Sequence, residues 1–280
     1  MSASPNAAPV LTYLDSFFTG GSGPPTLGSF DSYFASVAAP AFAWVDPAFA
    51  NFSPLALSGL VLWLRSDLGV TTSSGNVTTW KDQSPLINSA SASVGQQPAY
   101  VASGGPNNRP YIQGASGQKL TSATQVLTPG HTRTIWAVIR VGSNSPAPVF
   151  EFQVTTPYQA LLLTGAGGLD PNYVYTDGAS ISVTSSTNPN NVGDDRLIEW
   201  DMTLGQTPVV FDNGVSLPIV PGAITNDSGA GGYWIGADEV GASFWQGRYY
   251  EIIVIDHVAS ATERALIKAY VIALYGIAVS

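Results

Sequence analysis

The end of the chain constrains its fold more than any other part. Residues 244–277 read FWQGRYYEIIVIDHVASATERALIKAYVIALYGI, a β-branched run followed by one amphipathic segment. Glu251, Ile252, Ile253, Val254 and Ile255 form the kind of short apolar run expected of a strand covered on both faces. Ser260 followed by Glu263 is a capping box, in which the hydroxyl accepts from the third helical N–H and the carboxylate reaches back. Leu266, Ile267, Tyr270, Val271 and Leu274 recur at three- and four-residue steps and make one apolar helix face. Gly276 supplies a left-handed stop. A strand therefore leads straight into a closing helix, which is expected to seal a β structure and to carry no chemistry.

Nearly everything between Leu57 and that strand reads as β. Leu60, Leu62 and Leu64 alternate with Val61 and Trp63, and Gly75-Asn76 marks a turn before Val77-Thr78-Thr79-Trp80. Residues 134–141, 149–154 and 159–163 read as strands. Tyr173–Thr176 runs through an Asp177-Gly178 turn into residues 181–184, a hairpin signal. Residues 196–203 and 208–211 form a second pair, followed by an Asp212-Asn213-Gly214 turn, and Tyr233–Gly236 and Tyr249–Ile255 complete the set. Short strands with turn signals at short intervals indicate an antiparallel β-sandwich or jelly roll.

Residues 1–57 differ from the rest. They contain no Lys or Arg and three acidic residues, Asp15, Asp31 and Asp46. Each Asp follows an apolar residue and precedes an aromatic by three positions, in a weak internal repeat. Phe17, Phe18, Tyr33, Phe34, Trp44 and Phe49 are its aromatics, separated by turn-like Gly, Pro and Ala segments. Such a segment seeks cover and is too aromatic for ordinary disorder. It reads as an extended assembly arm, docking on partner subunits or symmetry mates.

Several segments of the remainder resemble laminin-G-like, concanavalin-A-like jelly rolls of the bacterial and phage type. Leu60–Arg65 followed by Gly69-Val70 is similar to their first strand, and Trp80-Lys81-Asp82-Gln83-Ser84 resembles their W-x-D-x-S segment. Gln97–Tyr100, Arg109–Ile112 and Lys119-Leu120 resemble the block that follows, and residues 247–277 the closing strand and helix. Arg65 stands where the family has Asp or a small residue, and Gln113-Gly114 lacks the family's F-x-G, so local differences are expected there and in the loop 104–117. The resemblance covers roughly residues 58–278. It implies an all-β, concanavalin-A-like antiparallel sandwich over residues 58–280, with one C-terminal helix and the N-terminal arm outside it.

Charge and composition exclude some functions. Only 10% of the 280 residues are charged and the net charge is −9, with ten Lys and Arg in all. Phosphate-backbone recognition needs clustered cations, so no nucleic-acid partner is expected. The chain has no Cys, hence no disulfide or thiolate metal site. No apolar run reaches the roughly 18 residues of a membrane helix, so no membrane insertion is expected. The N-terminus lacks a basic region and a continuous apolar core of the kind found in ordinary signal peptides. A virion surface is the expected location, with the extracellular space as the alternative.

The residues offer few catalytic constellations. Retaining β-glucanases with this sandwich fold resemble one another through E-x-D-x-E or E-x-D-x-x-E on one strand. Here Glu199-Trp200-Asp201 is followed by Thr203 and Leu204, so the second Glu is missing. Glu199 and Asp201 would share a face about 7 Å apart, against the 5–5.5 Å of a retaining pair, and they read as polar residues on a solvent face. His131 and His257 are the two histidines, and no G-x-S-x-G elbow is present. Calcium is the one candidate cofactor. It would be held by hard oxygen ligands from Asp194, Asp195, Asp212 and Asn213, residues that are equally good turn formers. Sugar binding would draw on Tyr158, Tyr173, Tyr175, Trp234 and Trp245 near turns, whereas Trp63, Trp80, Trp136 and Trp200 belong to the core.

These readings converge on a non-enzymatic structural or interaction protein. The setting expected first is a phage virion, as a capsid decoration or tail receptor-binding protein. Residues 1–57 would join other coat subunits in a homo-oligomer, and the sandwich would display a lectin-like surface to a cell-surface glycan. The alternative is a secreted or surface bacterial carbohydrate-binding module, and the weaker one a glycan hydrolase.

Overall fold

Alternation along the two longest strands decides the layering. β8 (Arg133–Val141) and β16 (Gly247–Ile255) pair antiparallel from Gly247 opposite Val141 to Ile255 opposite Thr134, with a bulge between Tyr249 and Glu251. Ile135, Ala137, Ile139 and Val141 face one way and pack with Trp80, Ile112, Phe150, Trp200 and Trp245. Trp136 and Val138 face the other way and pack with Trp63, Tyr250, Ile253, Ile267 and Val271. A strand buried on both faces cannot afford alternating polarity, which is why both strands read as near-continuous apolar runs.

The computed structural model describes residues 52–123, 132–142, 147–152, 159–165, 171–176, 193–217, 232–238, 241 and 244–280. Within them, sixteen strands and one α-helix are formed. The remaining strands are β1 (Leu60–Arg65), β2 (Val70–Ser73), β3 (Asn76–Trp80), β4 (Ala90–Ser91), β5 (Ala99–Val101), β6 (Tyr111–Gly114) and β7 (Leu120–Ser122). After β8 come β9 (Ala147–Phe152), β10 (Gln159–Gly165), β11 (Pro171–Thr176), β12 (Asp195–Met202), β13 (Val209–Asp212), β14 (Val215–Ser216) and β15 (Tyr233–Ile235). Hydrogen bonding runs in the order β11-β10-β9-β15-β7-β4-β3-β5-β6-β16-β8-β12-β13-β14, with β1 on β16 and β2 on β3. The continuous sheet folds over into an all-β sandwich around the first core, and the helix lies on its outer face over the second.

Local chemistry explains the joints. Ser74-Gly75 (φ 51° and 82°) and Asn213-Gly214 (φ 47° and 82°) turn β2 into β3 and β13 into β14, with the positive φ values of a two-residue hairpin. α1 (Ala261–Tyr275) begins on the expected box: Ser260 accepts from the Glu263 N–H, and Glu263 accepts from the Ser260 N–H at 2.8 Å. It ends on Gly276 at φ 67°. Asp82, at the centre of the W-x-D-x-S segment, is buried and accepts from the N–H groups of Trp63, Ser84 and Asn88 at 2.7–2.8 Å. The Ser84 hydroxyl donates to it at 2.6 Å. The motif therefore ties a loop to β1.

Some expectations need adjustment. Phe52 and Leu57, read as part of the arm, pack into the helix-side core; the Phe52 ring meets Tyr270 edge-on at 5.9 Å. β11 pairs with β10, and the hairpin expected through residues 177–184 lies outside the described residues. So do residues 1–51, with Phe17, Phe18, Tyr33, Phe34, Trp44 and Phe49.

Candidate functional site

The site-forming region lies where four elements end together. The start of β12 supplies Asp194, Asp195 and Arg196, and the β13–β14 turn supplies Asn213. The 3-10 turn at Pro106–Asn108 supplies Asn107, and the end of α1 supplies Tyr275 and Gly276. Between them is an open polar cleft of about 510 Å³, within the range of small-molecule sites.

Each wall is fixed by a specific bond. β12 and β8 stand in a register that places Asp195 opposite Arg140. The guanidinium grips the carboxylate with Nε at 2.8 Å and Nη2 at 2.5 Å, and the Tyr250 hydroxyl donates to it at 2.5 Å. Arg196 donates to Asp212 at 2.5 Å and, more loosely, to Asp194 at 3.4 Å. Asn213 accepts from the Leu197 N–H at 2.9 Å. Asn107 and Arg109 donate to the Leu274 carbonyl at 3.1 and 2.9 Å, which ties the 3-10 turn to the end of the helix. The Tyr275 hydroxyl donates inward to Glu251 at 2.8 Å. Of the acids, Asp194 is the most open, its side chain 54% exposed.

Two carboxylate centres lie beneath the helix. Glu251 is fully buried and accepts from Trp63 Nε1 at 2.5 Å and from the Tyr270 and Tyr275 hydroxyls at 2.8 Å. Burial outweighs those donors and the nearby Arg65, and pushes its carboxyl up to about 7. Glu199 and Asp201 are the second centre. Arg264 of α1 donates to Glu199 at 2.5 Å and also to Asp201, and Thr134 donates to Asp201 at 2.6 Å. Burial raises both carboxyls despite the arginine. The expected solvent-face placement is thus corrected: the two are 3% and 5% exposed, because odd-numbered β12 residues face the helix. A pair sealed by a guanidinium cannot meet a polysaccharide.

The other sequence candidates divide. The four residues considered for calcium come together around the cleft, and three of them are engaged by neighbouring groups. Asp195 is held by Arg140 and Tyr250, Asp212 by Arg196, and Asn213 by a backbone N–H. Among the described residues no three His, Cys, Asp or Glu side chains gather as metal ligands. Trp245 is corrected from stacking platform to core. It is fully buried against Tyr249 at 4.4 Å, in a space that exists because a Cβ on Gly247 would fall 2.3 Å from its ring. Trp234 is 9% exposed on β15. Tyr173 and Tyr175 lie on β11; Tyr158 and His131 lie outside the described residues.

His257 packs between Asp256 at 3.2 Å and Glu263 at 3.0 Å. Burial works against its charge, but the two carboxylates prevail and raise its pKa.

Sequence reasoning missed Arg140, Arg196, Asn107 and Tyr275. Arg140 was signalled by its position, a cation near the end of an apolar strand. The others depend on which strand ends meet. The last turn of the helix, at Tyr275 and Gly276, forms a wall of the cleft.

No family model matches the chain, and no curated protein matches it in sequence. Solved structures share its fold. One is domain 4 of an extracellular arabinanase of glycoside hydrolase family 43 from Geobacillus stearothermophilus, in complex with arabinotriose. It matches with a TM-score of 0.55 and 10% identity over 75% of this chain and 96% of that one. A Trypanosoma rangeli sialidase in complex with an inhibitor matches with a TM-score of 0.53 and 15% identity over 94% of this chain and 39% of that one. The binding domain of a paraclostridial mosquitocidal protein matches at 0.52 and 12%, over 75% and 52%. The chain thus spans about two fifths of the sialidase and half of the mosquitocidal chain. These likenesses establish the fold. They also overturn the expectation of a non-enzymatic protein, which was drawn from the missing catalytic constellations: the same sandwich occurs in chains of a glycoside hydrolase and a sialidase.

Proposed function

We propose that the sandwich is a carbohydrate-binding domain and that the cleft at the end of α1 is its binding site. One observation carries this: a cleft of about 510 Å³ lined by the carboxylates of Asp194 and Asp195, the carboxamides of Asn107 and Asn213, and Tyr275. Sugars are recognised by such fixed donors and acceptors beside an aromatic wall. The arabinanase domain solved with arabinotriose shows a sandwich of this kind beside a sugar, which supports the reading. We place the domain within or beside a glycan-processing protein, in an extracellular or surface setting. The laminin-G-like resemblance is part of the same proposal.

The test is a glycan array followed by calorimetry on its hits, comparing the parent with Asp194→Ala. Asp194 is exposed enough for its loss to spare the fold. Removing a hydrogen bond of this kind weakens binding by about 1–3 kcal/mol, roughly fivefold to a hundredfold. A folded protein with no hits, or hits untouched by the substitution, would sink the reading.

The virion setting is a second proposal and rests on the repeated aromatic segments of residues 1–57 alone; the comparisons lend it no support. Deleting residues 1–50 would abolish particle or oligomer association if the arm anchors the subunit, and an unaffected monomer would end that idea.

A further inference from the structure

We infer that the cleft selects neutral or amino sugars and excludes sugars bearing a carboxylate. This rests on the carbohydrate reading above and concerns the charge of the ligand.

The inference follows from how the charges are committed. Asp194, Asp195 and Arg196 line the cleft. Behind them stand Arg140, gripping Asp195, and Asp212, gripping Arg196. Three carboxylates against two guanidiniums leave one negative charge. Neither guanidinium offers the two-pronged face with which arginine captures an anion. Arg140 spends Nε and Nη2 on Asp195. Arg196 spends its terminal nitrogens on Asp212 and Asp194, with its side chain 9% exposed. Two further cations are also engaged: Arg109 donates to Asp67 and to the Leu274 carbonyl, and Lys268 to the Ser280 carbonyl.

The backbone adds to this. The cleft opens at the C-terminal end of the fifteen-residue helix α1, where the aligned peptide dipoles amount to about half a negative charge. The carboxamides of Asn107 and Asn213 that line the cleft donate and accept without net charge, so the charge of its open face is set by Asp194. Asp194 is half exposed, and each carboxylate oxygen has two lone pairs. Hydroxyl and ammonium groups donate to such a surface. A ligand carboxylate meets like charge on the acids and the negative end of the helix. At separations of 4–6 Å near a protein surface, that repulsion exceeds the 1.4 kcal/mol that corresponds to tenfold in affinity.

The experiment uses the full chain on an array of matched glycans: lactose against sialyllactose, methyl-esterified against free oligogalacturonate, and acetylated against deacetylated chito-oligosaccharide. Binding confined to the neutral or amino members supports the inference. Discrimination against the acid partner should be about tenfold or more, and should shrink in 0.5 M NaCl as the repulsion is screened. Asp195→Asn releases Arg140 and should narrow or reverse the preference, with the fold checked by circular dichroism. Equal or tighter binding of the carboxylated members overturns the inference and leaves the carbohydrate reading standing. Charge preference unchanged in Asp195→Asn overturns the placement in this cleft. No binding to any member overturns both.

Discussion

Replacing Glu251 by glutamine should flatten a pH dependence written into the buried core. In the folded protein this carboxyl is pushed up to about 7, from an ordinary 4.5, chiefly because burial strips its water. Between those two values the unfolded chain has released a proton that the folded chain still holds. Stability therefore falls as pH rises through the window, by up to about 1.4 kcal/mol per pH unit. Across the interval from 4.5 to 7 the loss comes to about 3 kcal/mol. The groups facing Glu251 are Trp63, Tyr270, Tyr275 and Arg65. The two tyrosines are held neutral well beyond neutral pH and Arg65 stays charged, so Glu251 is the group that titrates. Glutamine keeps the volume: its oxygen can accept from Trp63 and Tyr270, and the Tyr275 hydroxyl can rotate to accept from its amide. The assay is urea unfolding of parent and Glu251→Gln at half-unit steps from pH 5 to 8. Other titrating groups, including His257, Glu199 and Asp201, are common to both and cancel in the difference. The variant should gain on the parent by most of that 3 kcal/mol between the two ends. Parallel curves would refute the reasoning, because they would mean that Glu251 binds protons equally in both states.

Arg264→Met should cost about 3–5 kcal/mol in urea unfolding, because it strands Glu199 and Asp201 as buried, uncompensated charges. Adding Glu199→Gln and Asp201→Asn should recover most of the loss, and a cost under 1 kcal/mol for the single change would show that the arginine does not hold them. Ile87→Asn should raise the melting temperature by about 2–4 °C, since this β-branched residue sits at φ 57° with 65% of its surface exposed, and Asn tolerates that backbone at about 1 kcal/mol less strain. An unchanged or lower melting temperature would show that no strain is stored there.

The fold was legible where the signal was long or chemically specific. Nine residues of β8 and nine of β16 give periodicity enough to read, and Ser260 with Glu263 marks the helix start to the residue. The short strands were not legible that way. β4 spans two residues and β7 three, and their pairing is set by Ser91 lying opposite Thr121, thirty positions along the chain. A period of two cannot be measured over two residues. Trp245 failed for a related reason. Its neighbourhood of turn residues resembles a surface loop, yet Gly247 leaves room for the indole to fold inward, a packing outcome that local composition does not report.

The cleft shows the same division at the level of chemistry. Turn-forming acids and amides are visible in sequence, so Asp194, Asp195, Asp212 and Asn213 were singled out together. Their partners were not, because Arg140 meets Asp195 across fifty-five residues and only through the register of β8 on β12. Unpartnered, the four residues read as ligands for a cation; in the structure Asp195 is paired with Arg140 and Asp212 with Arg196. The helix was read in a parallel way. A helix read by its faces is a lid, and α1 is one along Ile267, Tyr270 and Val271. A helix also has ends, where peptide dipoles and unsatisfied carbonyls concentrate. Gly276 turns the chain at that end beside Asn107, and with Tyr275 and the β12 acids it forms the cleft. The familiar closing element therefore fixes the fold along its length and lines the cleft at its tip.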